Sequence, residues 1–352
     1  MDVIGGGGSV SVSASASGSG ELTLPGAIGG STRYMPVSNV DTYFQIGLDI
    51  RDIRAIMSPA AQGQPVDWAA ARTVYENGKN QVNAATGAIR PMASLPNEAR
   101  QAMFPNGAAV YRRPNFIDAI VHDGLNGTGR AQGVSDDARR QIVDKGLQMI
   151  AYSVALQEMD AGSTRLASGN TDNATGAPHV VDEAWATVAG APDDNGALSN
   201  SLLATAVSRE TNFNLQGKLR EPLETAFIAA LVAAQNGDTA AYAEAHEAVR
   251  AHLNAISYLG ALRYVKQLEG ATSAAQRQVQ LAEGWTFWQT IRATVASASP
   301  GAAQLVESAY TRNPNEAFPS SVPTQVYTAL NEPAVLQALA IPTALVVRTP
   351  PQ

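Results

Sequence analysis

The 352-residue sequence contains no cysteine. This absence excludes disulfide bridges, zinc–thiolate sites, iron–sulfur clusters and cysteine nucleophiles. Charged residues make up only 16% of the chain and apolar residues 45%, which excludes both a largely disordered chain and a charged coiled coil. The net charge of −7 argues against a nucleic-acid-binding protein, because such a protein needs a cationic surface.

Long apolar runs are also missing. No uninterrupted stretch of about 18 apolar residues occurs, so we expect no membrane span. The N-terminus reads Met-Asp-Val-Ile and then glycine and serine, and it lacks the basic and apolar regions of a signal peptide. Two interpretations stay open: a cytosolic chain, or an exported chain whose export segment was removed before this numbering begins.

Glycine and serine dominate the first 35 residues, which we interpret as a low-complexity tail. One interpretation is a flexible linker. The alternative rests on residues 9–17, where serine alternates with valine or alanine, a period that is typical of a strand. Such a strand would pair with a neighbouring copy, and self-association would then run through residues 1–31.

Helical periodicity dominates the rest of the chain. We predict a mostly α, alanine-rich, multi-helix bundle over residues 36–345, with no strands, followed by a short C-terminal tail at 346–352. Short helices separated by loops are expected between residues 80 and 134. The longer helices are predicted at 40–57, 67–77, 135–160, 179–189, 198–208, 219–235, 238–268, 274–298 and 301–311.

A short motif occurs twice, as Glu-Ala-Trp at 183–185 and Glu-Gly-Trp at 283–285. Each copy follows a long predicted helix that contains a tyrosine, Tyr152 in the first and Tyr258 in the second. We interpret this as one helical unit used twice, with the tryptophans in the core. The approximate units are 135–215 and 219–311.

His179, Asp182 and Glu183 are the clearest candidate metal ligands. At spacings of three and four residues their side chains project from one face of a helix, as in metal sites built on helical bundles. The alternative is that Asp182 and Glu183 lie in the first turn of a helix and only favour its dipole. The zinc pattern His-Glu-x-x-His does not occur in the chain.

Several segments carry a family resemblance: VDTYFQIGLDIRDI at 40–53, DWAAARTVYENGKN at 67–80, APHVVDEAWATVAG at 177–190, RYVKQLEGATSAAQRQVQLAEGWTFWQTI at 263–291 and ALNEPAVLQALAIP at 329–342. In these segments the chain resembles the low-iron-inducible periplasmic proteins of algae, the Fea-type iron-assimilation family related to phytotransferrins. The resemblance covers most of residues 38–345 and leaves the Gly/Ser tail outside.

The resemblance implies an exported protein, periplasmic, extracellular or on the cell surface, that binds iron as ferric ion, with carbonate as a possible partner. Its motif positions here are His179, Asp182 and Glu183 in the first copy and Glu283 in the second. Tyr258 and Asp49 are further candidates in matching segments. Oxygen and imidazole donors suit a hard ferric ion. The copies differ, because Ala282 stands where the first copy has an aspartate.

The sequence therefore predicts a non-enzymatic, iron-binding or iron-assimilation protein whose partner is a metal ion, not nucleic acid or a membrane. The alternative is a structural subunit of a filament or surface layer, in which the N-terminal tail docks on a neighbouring copy. A weaker third possibility is an enzyme that uses the same carboxylates, although no nucleophile or cofactor motif supports it.

Overall fold

A computed structural model describes residues 33–83, 86–191 and 200–350. Within these ranges the chain is helical, and the predicted mostly α bundle is confirmed. The isolated antiparallel bridge between Val82 and Ile89 is the only strand-like pairing in the described ranges. The helices are α1 Asp41–Met57, α2 Trp68–Asn77, α3 Glu98–Ala102, α4 Gly107–Tyr111, α5 Phe116–Asn126, α6 Asp136–Ala167, α7 Ala177–Ala189, α8 Leu202–Phe213, α9 Arg220–Asn236, α10 Thr239–Glu269, α11 Ala274–Ala298, α12 Pro300–Tyr310, α13 Ser321–Leu330 and α14 Pro333–Ala338.

Local capping chemistry sets the helix ends that the sequence predicts. The Asp67 side chain accepts a hydrogen bond from the backbone of Ala70 at the start of α2, and Gly78 ends that helix with a positive φ. Ser135 caps α6 and Asp238 caps α10 in the same way. Each cap satisfies a backbone N–H that the first turn of a helix leaves without a partner.

Three parts of the helix prediction are wrong. The helix predicted at 198–208 runs as α8 from Leu202 to Phe213. Helix α6 continues to Ala167 instead of ending near residue 160, because Gly162 acts as a packing residue and not as a stop. The missing side chain lets the Tyr242 hydroxyl reach the α6 backbone and donate to the carbonyl of Met159 at 2.8 Å. Helices α13 and α14 were not predicted, since both are short and each has proline in its first turns or its interior.

Large apolar side chains, including Trp185 of the first motif copy and Trp288, fill a continuous core between the long helices. Trp285 of the second copy, also predicted in the core, is only partly buried and packs against it. Helix α6 packs against α7 and helix α10 packs against α11, so each long helix is paired with the next one along the chain. The duplication of a helical unit stays a prediction. None of the described helices combines the length and hydropathy that a membrane span requires.

Residues 33–40, which we call the N-terminal arm, lead into α1 and are packed on the bundle. Tyr34 is fully buried, and its ring stacks on Trp185 with centroids 4.8 Å apart. Arg33 donates from its side chain to the hydroxyl of Thr225 at 2.8 Å. The folded part therefore begins no later than Arg33. The proposed strand at residues 9–17 and the docking role of residues 1–31 lie outside the described residues.

The pairing of α10 and α11 requires close approach at Gly284. A Cβ at this position would stand 2.2 Å from the Tyr310 ring and 2.7 Å from the Cβ of Tyr264. We predict that Gly284→Ala lowers the free energy of unfolding by about 1–3 kcal/mol, because neither neighbour can move without disturbing the core. Chemical denaturation measures the change.

Gly301, in the first turns of α12, provides the matched control, because nothing lies within 4 Å of a Cβ placed there. Gly301→Ala should raise the free energy of unfolding by about 0.5–1 kcal/mol through the lower flexibility of alanine in the unfolded chain. Equal effects of the two substitutions would contradict the packing argument.

Candidate metal centre

Four side chains from three helices meet where α1, α6 and α7 pack together. Tyr43 comes from α1, Glu158 from α6, and His179 and Glu183 from α7. We call these four residues the His179 cluster. The packing of the three helices brings together an imidazole, two carboxyl groups and a phenol from three separate parts of the sequence.

His179 and Glu183 form the part of the cluster nearest to solvent. Nε2 of His179 lies 3.2 Å from Oε1 of Glu183, and the two side chains are 22% and 13% exposed. The hydrogen bond to Glu183 raises the pKa of His179, while partial burial opposes this shift. Both side chains are therefore partly in contact with solvent.

Glu158 lies deeper and belongs to a different helix. Its Oε1 accepts hydrogen bonds from the Tyr43 hydroxyl at 3.1 Å and from Nη2 of Arg100 at 3.2 Å. Burial, followed by the charge of Glu183, raises the pKa of Glu158, and Arg100 only partly offsets the shift. Burial and the same two carboxylates raise the pKa of Tyr43. Burial and neighbouring negative charge thus both disfavour ionisation of Glu158 and Tyr43.

Two arginines beside the cluster carry N–H groups without acceptors. Nε of Arg100 and Nη2 of Arg90 are buried and donate to no acceptor in the described part of the chain. Arg90 also lies over the ring of Tyr43, with its guanidinium carbon 4.4 Å from the centroid. A buried donor without a partner costs about 1–3 kcal/mol, so this corner of the site is suited to a small oxyanion.

Asp182, a predicted ligand, faces the N-terminal arm. Its Oδ1 accepts from the Tyr34 hydroxyl at 2.6 Å, and its Oδ2 accepts from the backbone N–H groups of Val37 and Ser38 and from the Ser38 hydroxyl, each at 2.8 Å. Burial raises the pKa of Asp182 to about 6, and these hydrogen bonds oppose the shift. Asp182 reaches His179 only through Ser38, whose Oγ lies 2.9 Å from Nδ1.

Asp49 and Tyr258 are engaged outside the cluster. Asp49 is fully buried and accepts from the backbone and side chain of Asn80 and from the side chain of Gln81, each at 2.8 Å. Gln81 in turn accepts from Arg90, so Asp49 supports the cluster indirectly. The Tyr258 hydroxyl bonds the side chain of Asn331 at 3.2 Å and thereby fixes the C-terminal segment.

Glu283 lies in a second buried charge network. It forms an ion pair with Nζ of Lys145 at 3.1 Å and accepts from the Tyr264 hydroxyl. Burial disfavours the charged lysine, but Asp144 and Glu283 still raise the pKa of Lys145. Lys145 and Glu158 are thirteen residues apart on α6, about 20 Å along a helix axis. The structure therefore does not bring the glutamates of the two motif copies together.

Helix α7 begins at Ala177, so its first turn contains no acidic residue. The capping interpretation of Asp182 and Glu183 is wrong for this reason, because both lie beyond the first turn. Sequence reasoning also missed Glu158. The spacing of the residues could have predicted its burial, since Glu158 follows Ile150 and Val154 at steps of four on the buried face of α6. A glutamate on an apolar stripe needs a partner in the interior.

No three His, Asp or Glu side chains within the described ranges stand ready around a single point at metal-ligand spacing. A surface groove of about 740 Å³ lies elsewhere, between the segment after α1 and the N-terminal turns of α6 and α11. The His179 cluster is therefore a partly exposed group of donors and not a preformed cage.

The family model of the low iron-inducible periplasmic proteins, Fea1, matches residues 6–294. The match covers the N-terminal arm and every residue of the His179 cluster. It begins inside the Gly/Ser-rich segment, which the resemblance left outside, and it ends before α12. No curated protein and no solved structure matches the chain.

The buried ion pair between Lys145 and Glu283 can be tested independently of metal. We predict that Lys145→Met lowers the free energy of unfolding by about 3–5 kcal/mol, because it leaves Glu283 buried without a countercharge. Adding Glu283→Gln to this variant should recover part of the loss. Urea denaturation measures both effects.

Lys266 serves as the control, because its ion pair with Glu269 is about one-third exposed at both ends. Lys266→Met should change the free energy of unfolding by no more than about 1 kcal/mol. A Lys145→Met variant as stable as the wild type would show that the pair with Glu283 contributes nothing.

Proposed function

The chain belongs to the low iron-inducible periplasmic protein family, and from this premise we propose that it binds ferric ion as cargo at the His179 cluster. The family places the protein in the periplasm and gives it an iron-related role. The proposal adds the ligands and the oxidation state of the metal. It treats the protein as a binding protein, and it assigns no catalytic step to the cluster.

The observation that carries the proposal is the surplus of acidic and neutral donors over cations in the cluster. Glu158 and Glu183 face the same space, the imidazole of His179 stands beside them, and only Arg100 pairs with either carboxylate as a permanent cation. Ferric ion is hard and prefers carboxylate and phenolate oxygen, with imidazole as a further donor. The donor set therefore fits the ion.

Binding has to displace contacts that the metal-free cluster makes. His179 and Glu183 already stand 3.2 Å apart, close to the separation of two neighbouring ligands on one ion. Both hydrogen bonds of Glu158 end on Oε1, so its second oxygen can turn toward His179 while Arg100 keeps its partner. We propose that this rotation, together with Tyr43, completes the ligand set.

Carbonate fits the corner formed by Arg90 and Arg100. Their unpaired N–H groups would gain acceptors from an oxyanion that also bonds the metal. The positive charges of the two arginines favour such an anion, whereas Glu158 and Glu183 disfavour it until a cation is present. Ferric ion and the anion should therefore bind together.

Ferric titration tests the ligands directly. We expect the wild type to bind one ferric ion supplied as the citrate complex, measured by metal analysis after gel filtration. His179→Ala and Glu183→Gln should each weaken binding by about tenfold or more, because each removes a ligand donor. Absence of binding in the wild type, or unchanged binding in both variants, would remove the assignment.

Two residues of the same types outside the cluster serve as controls. His122→Ala and Glu247→Gln change a histidine and a glutamate that lie in other helices, with side chains 29% and 65% exposed. Both should leave ferric binding unchanged. Glu283→Gln should also leave it unchanged, and a loss there would restore the prediction that the second motif copy supplies a ligand.

The proposed role of carbonate leads to a separate prediction. Wild-type affinity for ferric ion should fall in buffer freed of carbon dioxide and return when bicarbonate is added, whereas Arg90→Gln should lose this dependence. Arg348→Gln, an exposed substitution, should keep it. Equal affinity of the wild type with and without bicarbonate would contradict a role for carbonate.

A further inference from the structure

The hydroxyl of Ser38 lies between a carboxylate and an imidazole and has only one proton to give. Oγ is 2.8 Å from Oδ2 of Asp182 and 2.9 Å from Nδ1 of His179. A serine hydroxyl donates once and accepts through its lone pairs. Where the proton points therefore determines which nitrogen of His179 carries hydrogen.

The surroundings of Asp182 decide the direction. Its Oδ2 already accepts two backbone N–H bonds, from Val37 and Ser38, and these donors cannot rotate away. An oxygen that faces two fixed N–H groups acts as an acceptor, so the Ser38 hydroxyl donates to Oδ2. The Ser38 oxygen then meets Nδ1 with a lone pair, and Nδ1 has to be the protonated nitrogen.

We infer that Asp182, acting through Ser38, is a positioning residue that keeps hydrogen on Nδ1 of His179 and leaves Nε2 as the metal-binding nitrogen. This inference rests on the proposed function. It replaces the role of ligand that the sequence suggested for Asp182. Metal-binding histidines generally donate their second ring N–H to an oxygen acceptor, which fixes both tautomer and ring orientation.

The N-terminal arm holds Ser38 in place for this role. Tyr34 stacks on Trp185 and donates to the other oxygen of Asp182, so the arm is fixed on both sides of the carboxylate. On the opposite side of the imidazole, Nε2 lies 3.2 Å from Oε1 of Glu183, a contact that a protonated Nε2 makes, so both ring nitrogens carry hydrogen when the ring is charged. Asp182 is fully buried, whereas Glu183 is 13% exposed, so Nε2 is the nitrogen that loses its proton when the ring becomes neutral. The buried contact therefore dominates the choice of tautomer.

Nitrogen NMR of the metal-free protein tests the inference without iron. Long-range ¹H–¹⁵N spectra, recorded at a pH where the histidines are neutral and assigned with His179→Ala, distinguish the two nitrogens of the ring. We expect Nδ1 to be protonated in the wild type. Ser38→Ala should shift the ring toward the Nε2-protonated form, and Ser38→Thr should keep the wild-type form.

Ser58→Ala is the matched control, because Ser58 is exposed and bonds only the backbone of α1. It should leave the His179 signals unchanged. Hydrogen on Nε2 in the wild type, or an unchanged tautomer in Ser38→Ala, would overturn the inference. The Ser38 variants leave the fully buried Asp182 in place, and Ser38 itself is only half-buried, so the folded structure should tolerate them.

A double-mutant cycle links the tautomer to binding. Ser38→Ala should weaken ferric binding about 10–100-fold, Ser38→Thr should not, and Ser38→Ala should add no further loss to His179→Ala. Additive losses would mean that Ser38 acts on the fold and not through His179. If the wild type binds no iron but shows the expected tautomer, the proposed function fails while the hydrogen-bond assignment stands.

Discussion

A charged side chain that is buried in an alanine-rich helical bundle is stable only when other groups inside the bundle hydrogen-bond to it or form an ion pair with it. This constraint organises the interior. Asp49 and Asp182 are matched by neutral donors, and Asp144 and Glu283 are matched by Lys145 and Arg54. A carboxylate that is fully hydrogen-bonded or ion-paired within the protein does not need a metal ion to compensate its charge. The His179 cluster differs, because Arg100 pairs with Glu158 whereas Glu183 is paired only with the imidazole of His179.

This difference separates the two copies of the Glu-x-Trp motif. Both glutamates come from a helix that packs against a long neighbour, and both approach the interior of the bundle. In the second copy Lys145 supplies the cation as part of the chain. In the first copy the nearest basic group beside Glu183 is His179, an imidazole that binds either a proton or a metal. The glutamate of the second copy is therefore paired with a permanent cation, and that of the first copy with an imidazole.

Interactions within one turn of a helix could be predicted from the sequence, whereas contacts between residues far apart in the sequence could not. The ends of α2, α6 and α10 follow from Asp67, Ser135 and Asp238, because each cap acts within its own first turn. The pairing of His179 with Glu183 was predictable for the same reason, since a spacing of four on one helix fixes it. The partner of Glu283 could not be predicted, because Lys145 is 138 positions away and nothing in the motif indicates it.

The same limit explains the changed role of Asp182. Its spacing from His179 indicated a shared ligand set, whereas the N-terminal arm, more than 140 positions earlier, supplies the four hydrogen bonds that occupy it. Asp182 accepts four hydrogen bonds and therefore stabilises the arm and orients Ser38. Glu183 lies beside a partly exposed imidazole, which leaves it available as a metal ligand in our proposal. If iron binds at Nε2 as we propose, its binding and the docking of the arm are coupled through Asp182, Ser38 and His179, so that each stabilises the other.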